Sequence, residues 1–161
     1  MTVWLDGIVR IWNSRTRSLS KMKDITAPGM CIAYNSSAQI LAVGLRSSPS
    51  NEANGKVPSF LVLDADNLSI KHYGECKHFS FLDCKYSKDG NLLAFSSEDK
   101  SIYIYCAKKY SLLSRAKGHS EADGRGSWFG WILDRIGVLD IFVVVVLYHD
   151  HIIVMSVEDG R

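Results

Sequence analysis

Residues 86–105 read YSKDGNLLAFSSEDKSIYIY. Two short apolar runs are each led by a turn sequence, Lys88-Asp89-Gly90 before the first and Ser97-Glu98-Asp99-Lys100 before the second. A lone hairpin and one copy of a periodic unit would share this local pattern, so self-similarity along the chain decides between them. Aligning Tyr34–Leu45 (YNSSAQILAVGL) with Tyr86–Ser97 (YSKDGNLLAFSS) sets Tyr34 on Tyr86 and Leu41-Ala42 on Leu93-Ala94, at an offset of 52 throughout. In the same frame Ser36-Ser37-Ala38 falls on Lys88-Asp89-Gly90. A second element occurs three times, as VRIWN (Val9–Asn13), FLVLD (Phe60–Asp64) and IYIYC (Ile102–Cys106), in steps of 51 and 42. The longer step holds RSSPSNEANGKVPS (Arg46–Ser59), a Ser/Pro/Asn/Gly stretch that inserts at a surface without disturbing strands.

Each unit reads as strand, turn, strand, turn, strand and a less regular fourth strand. In the best copy these strands are expected at Phe81–Tyr86, Leu92–Ser96, Ile102–Cys106 and Ser111–Arg115. The third alternates Ile102 and Ile104 with Tyr103 and Tyr105, the period of two that a strand requires. A tyrosine ring packs on a neighbouring sheet while its hydroxyl reaches water or a partner. Asp89-Gly90 and Asp6-Gly7 supply residues that tolerate positive φ in tight turns. A period of about 40–45 residues with four strands per unit indicates β-propeller blades of the WD-repeat type.

DGIVRIWN (Asp6–Asn13) resembles the ending of a WD repeat, with Trp12 at the tryptophan position and Asn13 in place of the usual Asp. The stretch from Tyr86 to Tyr105 resembles the body of a repeat with Tyr105 at the tryptophan position, and Gly118-His119 resembles the Gly-His that opens the next. More narrowly, FLVLD, the run to Tyr105 and the following KKYSLLSRAKGHS resemble the propellers of the echinoderm microtubule-associated protein-like family, over about residues 3–119. In many WD repeats a His, an Asp in the turn before the third strand, a Ser or Thr and the Trp hydrogen-bond together and stiffen the blade. By that resemblance Asp99 and Ser96 or Ser97 stand at the Asp and Ser positions, while His78 lies one residue out of register and Tyr105 replaces the Trp. Asp99 is therefore read as a turn residue before a network member.

The expected fold is all-β: a partial WD-repeat β-propeller of about two and a half four-stranded blades, followed by an atypical C-terminal tail. Residues 3–23 supply the last two strands of one blade, 30–73 a second blade and 80–115 a third, against the roughly four to eight blades of closed propellers. The domain division is 1–119 for the propeller part and 120–161 for the tail. Charge and composition break at that point: residues 1–119 carry 16 Lys/Arg against 10 Asp/Glu, whereas 120–161 carry 3 against 7. The tail has seven valines and no Lys, Asn, Gln, Thr, Pro or Cys, which suggests an alternative or misassigned C-terminus in place of further blades.

A net charge of +2 and no Arg/Lys cluster argue against a nucleic-acid surface, and 47% hydrophobic with 22% charged residues fits a soluble globular domain. The opening MTVWLDGIVRIW has no basic segment followed by an apolar one, so a secretory signal is not expected. The apolar stretch Ile136–Tyr148 is too short for the ~20 residues of a spanning helix. Asp134, Arg135, Asp140 and Asp150 also oppose insertion, so no membrane is expected as a partner. Instead the tail is expected to form strands at Ile141–Tyr148 and Ile152–Val157. With little to fix its register, the first of these strands is expected to cover a bare face of the third blade, to leave the chain prone to self-association, and to leave residues 120–130 open to proteolysis.

Four cysteines, Cys31, Cys76, Cys84 and Cys106, lie far apart with no CxxC pair and are expected to stay reduced as small apolar residues. A zinc site from Cys76, His78 and Cys84 fits no closed-site spacing well, and His149-Asp150-His151 reads as a polar turn between strands before a metal site. No nucleophile elbow, zinc-protease helix or phosphate loop occurs, so no enzyme, no catalytic or metal residue and no cofactor is expected. The resemblance implies a non-catalytic protein-interaction scaffold, associated with tubulin or microtubules, in the cytoplasm and on the cytoskeleton. The alternatives are a WD-repeat scaffold of another complex or a truncated product without independent function. The partner-binding residues stay unknown at this stage.

Overall fold

A computed structural model of the chain describes residues 1–47, 58–75, 79–117, 131–135, 141–148 and 151–158, with backbone alone described beyond residue 116. Four antiparallel sheets follow one another along the sequence. The first holds β1 (Thr2–Val3), β2 (Ile8–Asn13) and β3 (Ser18–Asp24). The second holds β4 (Gly29–Asn35), β5 (Ile40–Leu45), β6 (Phe60–Asp64) and β7 (Ile70–Tyr73) in sequence order. The third repeats this meander with β8 (Phe81–Tyr86), β9 (Leu92–Ser97), β10 (Ser101–Cys106) and β11 (Leu112–Lys117). The last holds β12 (Trp131–Arg135), β13 (Ile141–Tyr148) and β14 (His151–Glu158).

The middle strands explain themselves by composition. ILAVGL in β5 and LLAFSS in β9 are buried at every position, because both faces of these strands are covered. Such strands need near-continuous apolar text rather than alternation. The fourth strands are the opposite: β3 (SLSKMKD) is exposed throughout and β7 (IKHY) alternates. These outermost strands, each at a sheet edge, carry Lys21, Lys23, Lys71, Arg115 and Lys117.

The repeat is written into the backbone as well as the side chains. Register shifts fall between Ile11 and Trp12, between Val62 and Leu63, and between Ile104 and Tyr105, at the same steps of 51 and 42. Four residues beyond each third strand's end, Arg17, Leu68 and Tyr110 adopt φ of 54°, 58° and 55°. The turn is closed by Leu68 N–H donating to Asp64 O at 3.0 Å and, one unit later, Tyr110 N–H to Cys106 O at 2.7 Å. Asn13 and Asp64 reinforce it, each side-chain oxygen accepting two backbone N–H groups.

The chain divides into two compact units, Met1–Cys84 and Lys85–Arg161, with the boundary inside β8. In the first unit a core of Val9, Ile25, Ala27, Leu41, Val43, Leu45, Leu61, Leu63 and Leu68 joins the first sheet to the second. Removing one such leucine to alanine costs about 2–5 kcal/mol, so this seam is a principal source of the unit's stability. Close approach is enforced at Gly29, where a Cβ would run into the Val3 side chain. In the second unit Phe95 and Tyr105 are buried and meet edge to face at 5.8 Å.

Compared with the sequence expectations, Leu92–Ser97 pairs with Ser101–Cys106, and Ile40–Leu45 with Phe60–Asp64, as the 52-residue register requires. Leu41 and Leu93 are both fully buried. Two points are corrected. The first sheet has three strands rather than two, because Thr2–Val3 pairs with Val9–Arg10. The fourth strand of the third sheet runs Leu112–Lys117 rather than Ser111–Arg115, with Ser111 held in the preceding turn. In the tail, β13 lies between β12 and β14 in one unbroken register from Ile141↔Glu158 to Tyr148↔His151. Residues 118–130, with Gly118-His119 and the expected protease site, lie outside the described residues.

Candidate functional site

A polar cluster of the second unit grows from the turn before β10. The Asp99 carboxylate accepts the Ser101 N–H at 3.2 Å, closing the turn, and the Tyr103 hydroxyl donates to its other oxygen at 2.8 Å. Arg115 on β11 pairs with that same oxygen, donates through Nε to Ser101 Oγ at 3.1 Å, and lies over the Tyr103 ring at 5.2 Å. The guanidinium therefore stacks, pairs and hydrogen-bonds at once, which a lysine could not do.

Burial alone would raise the Asp99 carboxyl, but hydrogen bonds from Tyr103 and Ser97 and the Arg115 charge outweigh it, and the net shift is downward. Burial and the Asp99 carboxylate push the Tyr103 phenol in the other direction, well above its ordinary range. Neither group titrates near neutrality, so the cluster is a fixed brace rather than an acid–base pair.

The same turn exists in the first sheet. Asp6 accepts the Ile8 N–H at 3.0 Å and a hydrogen bond from Arg10 at 2.7 Å, so the residue two places on and the one four places on play the parts of Ser101 and Tyr103. The Arg10 hydrogen bond holds the Asp6 carboxyl below its usual value. Sequence reading put Asp99 in the turn, and the structure places it there while adding Tyr103 and Arg115 to the Ser97 that the WD-repeat resemblance implied. Ser97 Oγ lies 3.4 Å from the Asp99 N–H, whereas Ser96 Oγ is buried with no hydrogen-bond partner among the described residues. Tyr105 packs on Phe95, and His78 lies outside the described residues. Tyr103 and Arg115 were missed. The i,i+4 spacing of Asp99 and Tyr103 is a usable signal; Arg115, sixteen residues away across a hairpin, leaves none.

Cys31 and Cys84 are buried and Cys106 is half-buried, all three free of disulfides, while Cys76 and His78 lie outside the described residues. Among the described residues no three His, Cys, Asp or Glu side chains gather as a metal group, and no helix is long and apolar enough to cross a membrane. The Tyr148↔His151 pair leaves residues 149 and 150 to connect β13 and β14, and both lie outside the described residues. What the first unit does offer outward is aromatic and apolar: Trp4, Leu5, Trp12, Met22, Tyr34 and Tyr73 are all exposed. Arrays of four-stranded meanders with braced turns and exposed aromatics provide surfaces for binding.

Successive meanders with these recurring turns define part of a WD-repeat β-propeller. Two solved structures share the fold: that of Sqt1 from Saccharomyces cerevisiae, with a TM-score of 0.67 at 15% identity over 96% of this chain and 39% of that one, and that of BamB from Moraxella catarrhalis, with 0.56 at 12% over 89% and 38%. In sequence the chain resembles the echinoderm microtubule-associated protein-like family. It is 29% identical over 124 residues to human echinoderm microtubule-associated protein-like 4, covering 74% of this chain and 12% of that protein. Rat echinoderm microtubule-associated protein-like 2 is 27% identical over 119 residues, 71% of this chain and 17% of that protein. The chain thus spans well under a fifth of the length of these relatives. No protein-family model matches it.

Proposed function

We propose that residues 1–119 act as a non-catalytic, propeller-type scaffold segment that holds protein partners, with tubulin or the microtubule as partner and the cytoplasmic cytoskeleton as location. The observation that carries this reading is the similarity over 124 residues to proteins named as microtubule-associated-protein-like. The excess of 16 basic over 10 acidic residues in this segment suits an acidic partner surface. Residues 120–161 are proposed as a separate C-terminal segment.

Co-sedimentation of the full chain with polymerised tubulin, under a salt titration, tests the proposal. The chain is expected to pellet at low salt and to be released as screening shortens the range of charge attraction. A chain that melts cooperatively yet stays in the supernatant at every salt concentration refutes the tubulin partner and favours the scaffold of another complex. The break in composition after residue 119 favours a further reading, a truncated product without independent function. A chain with no cooperative melt supports that one.

A further inference from the structure

Cys31 on β4 and Cys84 on β8 stand on the first strands of successive sheets, and both are buried, at 8% and 6% exposure. Cys31 Sγ lies 3.9 Å from the Phe81 carbonyl on β8, and Cys84 Sγ lies 3.9 Å from the Ala42 carbonyl on β5. Each sulfur therefore reaches across the same gap toward the other's strand, Cys31 to β8 and Cys84 to the sheet that holds β4. Gly44, the partner of Cys31 in the β4–β5 register, makes the approach possible, since a Cβ there would collide with Cys31 Sγ. With no third ligand gathered among the described residues, the pair lacks what a tetrahedral zinc site needs. Two thiols that face each other across one gap have one other common chemistry, which is to join.

We propose that Cys31 and Cys84 are an oxidisable pair, converted by a peroxide into an intramolecular disulfide that clamps β4 to β8. One sulfur attacks a peroxide oxygen, forming an S–O bond as the O–O bond breaks and a water leaves. The second sulfur then attacks the resulting sulfenic acid, forming the S–S bond as the S–O bond breaks, and its proton departs with the second water. Two electrons pass from the thiol pair to the peroxide. Burial, the Cys31 thiol and the nearby Asp83 carboxylate push the Cys84 thiol well above its ordinary value, so the reduced pair is slow to react and responds to sustained rather than brief exposure. Cys106, on β10 and less buried, offers the oxidant an easier first target, so a bond between 31 and 84 reports juxtaposition rather than access.

The test uses the full chain in native buffer with millimolar hydrogen peroxide, then a thiol block, non-reducing digestion and mass spectrometry. The expected result is a peptide pair linking Cys31 to Cys84 as the dominant disulfide, with Tm raised by roughly 5 °C or more and restored by dithiothreitol. Cys106→Ser should retain the linkage and Cys84→Ser should lose it. The same treatment in urea should scatter linkages among all four cysteines. Oxidation of Cys106 with no 31–84 linkage, the same mixture of linkages with and without urea, or a linkage that leaves Tm unchanged would each overturn the proposal.

Discussion

At Asp99 one carboxylate closes a turn, orders a tyrosine and anchors an arginine from the next strand. Its folded pKa is lowered, so the unfolded chain takes up the proton first as pH falls. The stabilisation is therefore complete above the ordinary carboxylate value near 3.8 and is lost as pH drops through the lower folded value. Urea titrations across pH should show an acid limb that Asp99→Asn flattens, with that variant costing about 1–2 kcal/mol at neutral pH. Burial sets a second contrast within the same hairpin. Leu93 is fully buried while Glu98 is exposed in the turn. Leu93→Asp should lose 3 kcal/mol or more, roughly, whereas Glu98→Lys should stay within about 0.5 kcal/mol, and comparable thermal melts would contradict the burial.

Among the elements, the turn after each third strand carries a non-glycine residue at positive φ. An L side chain there costs about 1 kcal/mol, and glycine removes the strain. Arg17 is exposed and Leu68 is 2% exposed within the core. Arg17→Gly should therefore raise stability by about 0.5 kcal/mol, while Leu68→Gly should lower it by about 2 kcal/mol or more, since lost packing exceeds relieved strain. Paired denaturant melts read both signs. These turns also explain what was legible. Third strands, second strands and their register were readable because apolar runs recur beside turn residues in fixed steps. β1 was not, since two residues display no period, and β12 (WILDR) shows no alternation of apolar and polar residues. The Cys31–Cys84 juxtaposition was illegible for another reason: the thiols face each other between strands that share no hydrogen-bond ladder, and sequence pattern speaks only within a sheet.

On the scale of the whole molecule, the repeat supplies its own control for coverage. Trp12, Leu63 and Tyr105 are equivalent positions, yet Trp12 is 46% exposed and the other two are fully buried. The Trp12 indole donates to Thr2 Oγ1 at 3.0 Å and otherwise stands on a face that in the second sheet is closed by the Val9–Leu63 core. Apolar exposure of this kind drives association. Trp12→Lys should weaken concentration-dependent self-association, read by sedimentation velocity, while shifting Tm little. A monomer in both forms would show that the bare face is inert.

The basic residues of β3, β7 and β11 have a consequence beyond solubility. Among the described residues these strands lie at the sheet margins, and a lysine or arginine placed there must be desolvated before another chain can add on. The positive excess of the first 119 residues is thus partly a guard against cross-β growth. Acetylation of Lys21 and Lys23 would remove that guard without touching the core, turning the outermost strand of the first sheet into a seed for fibrils.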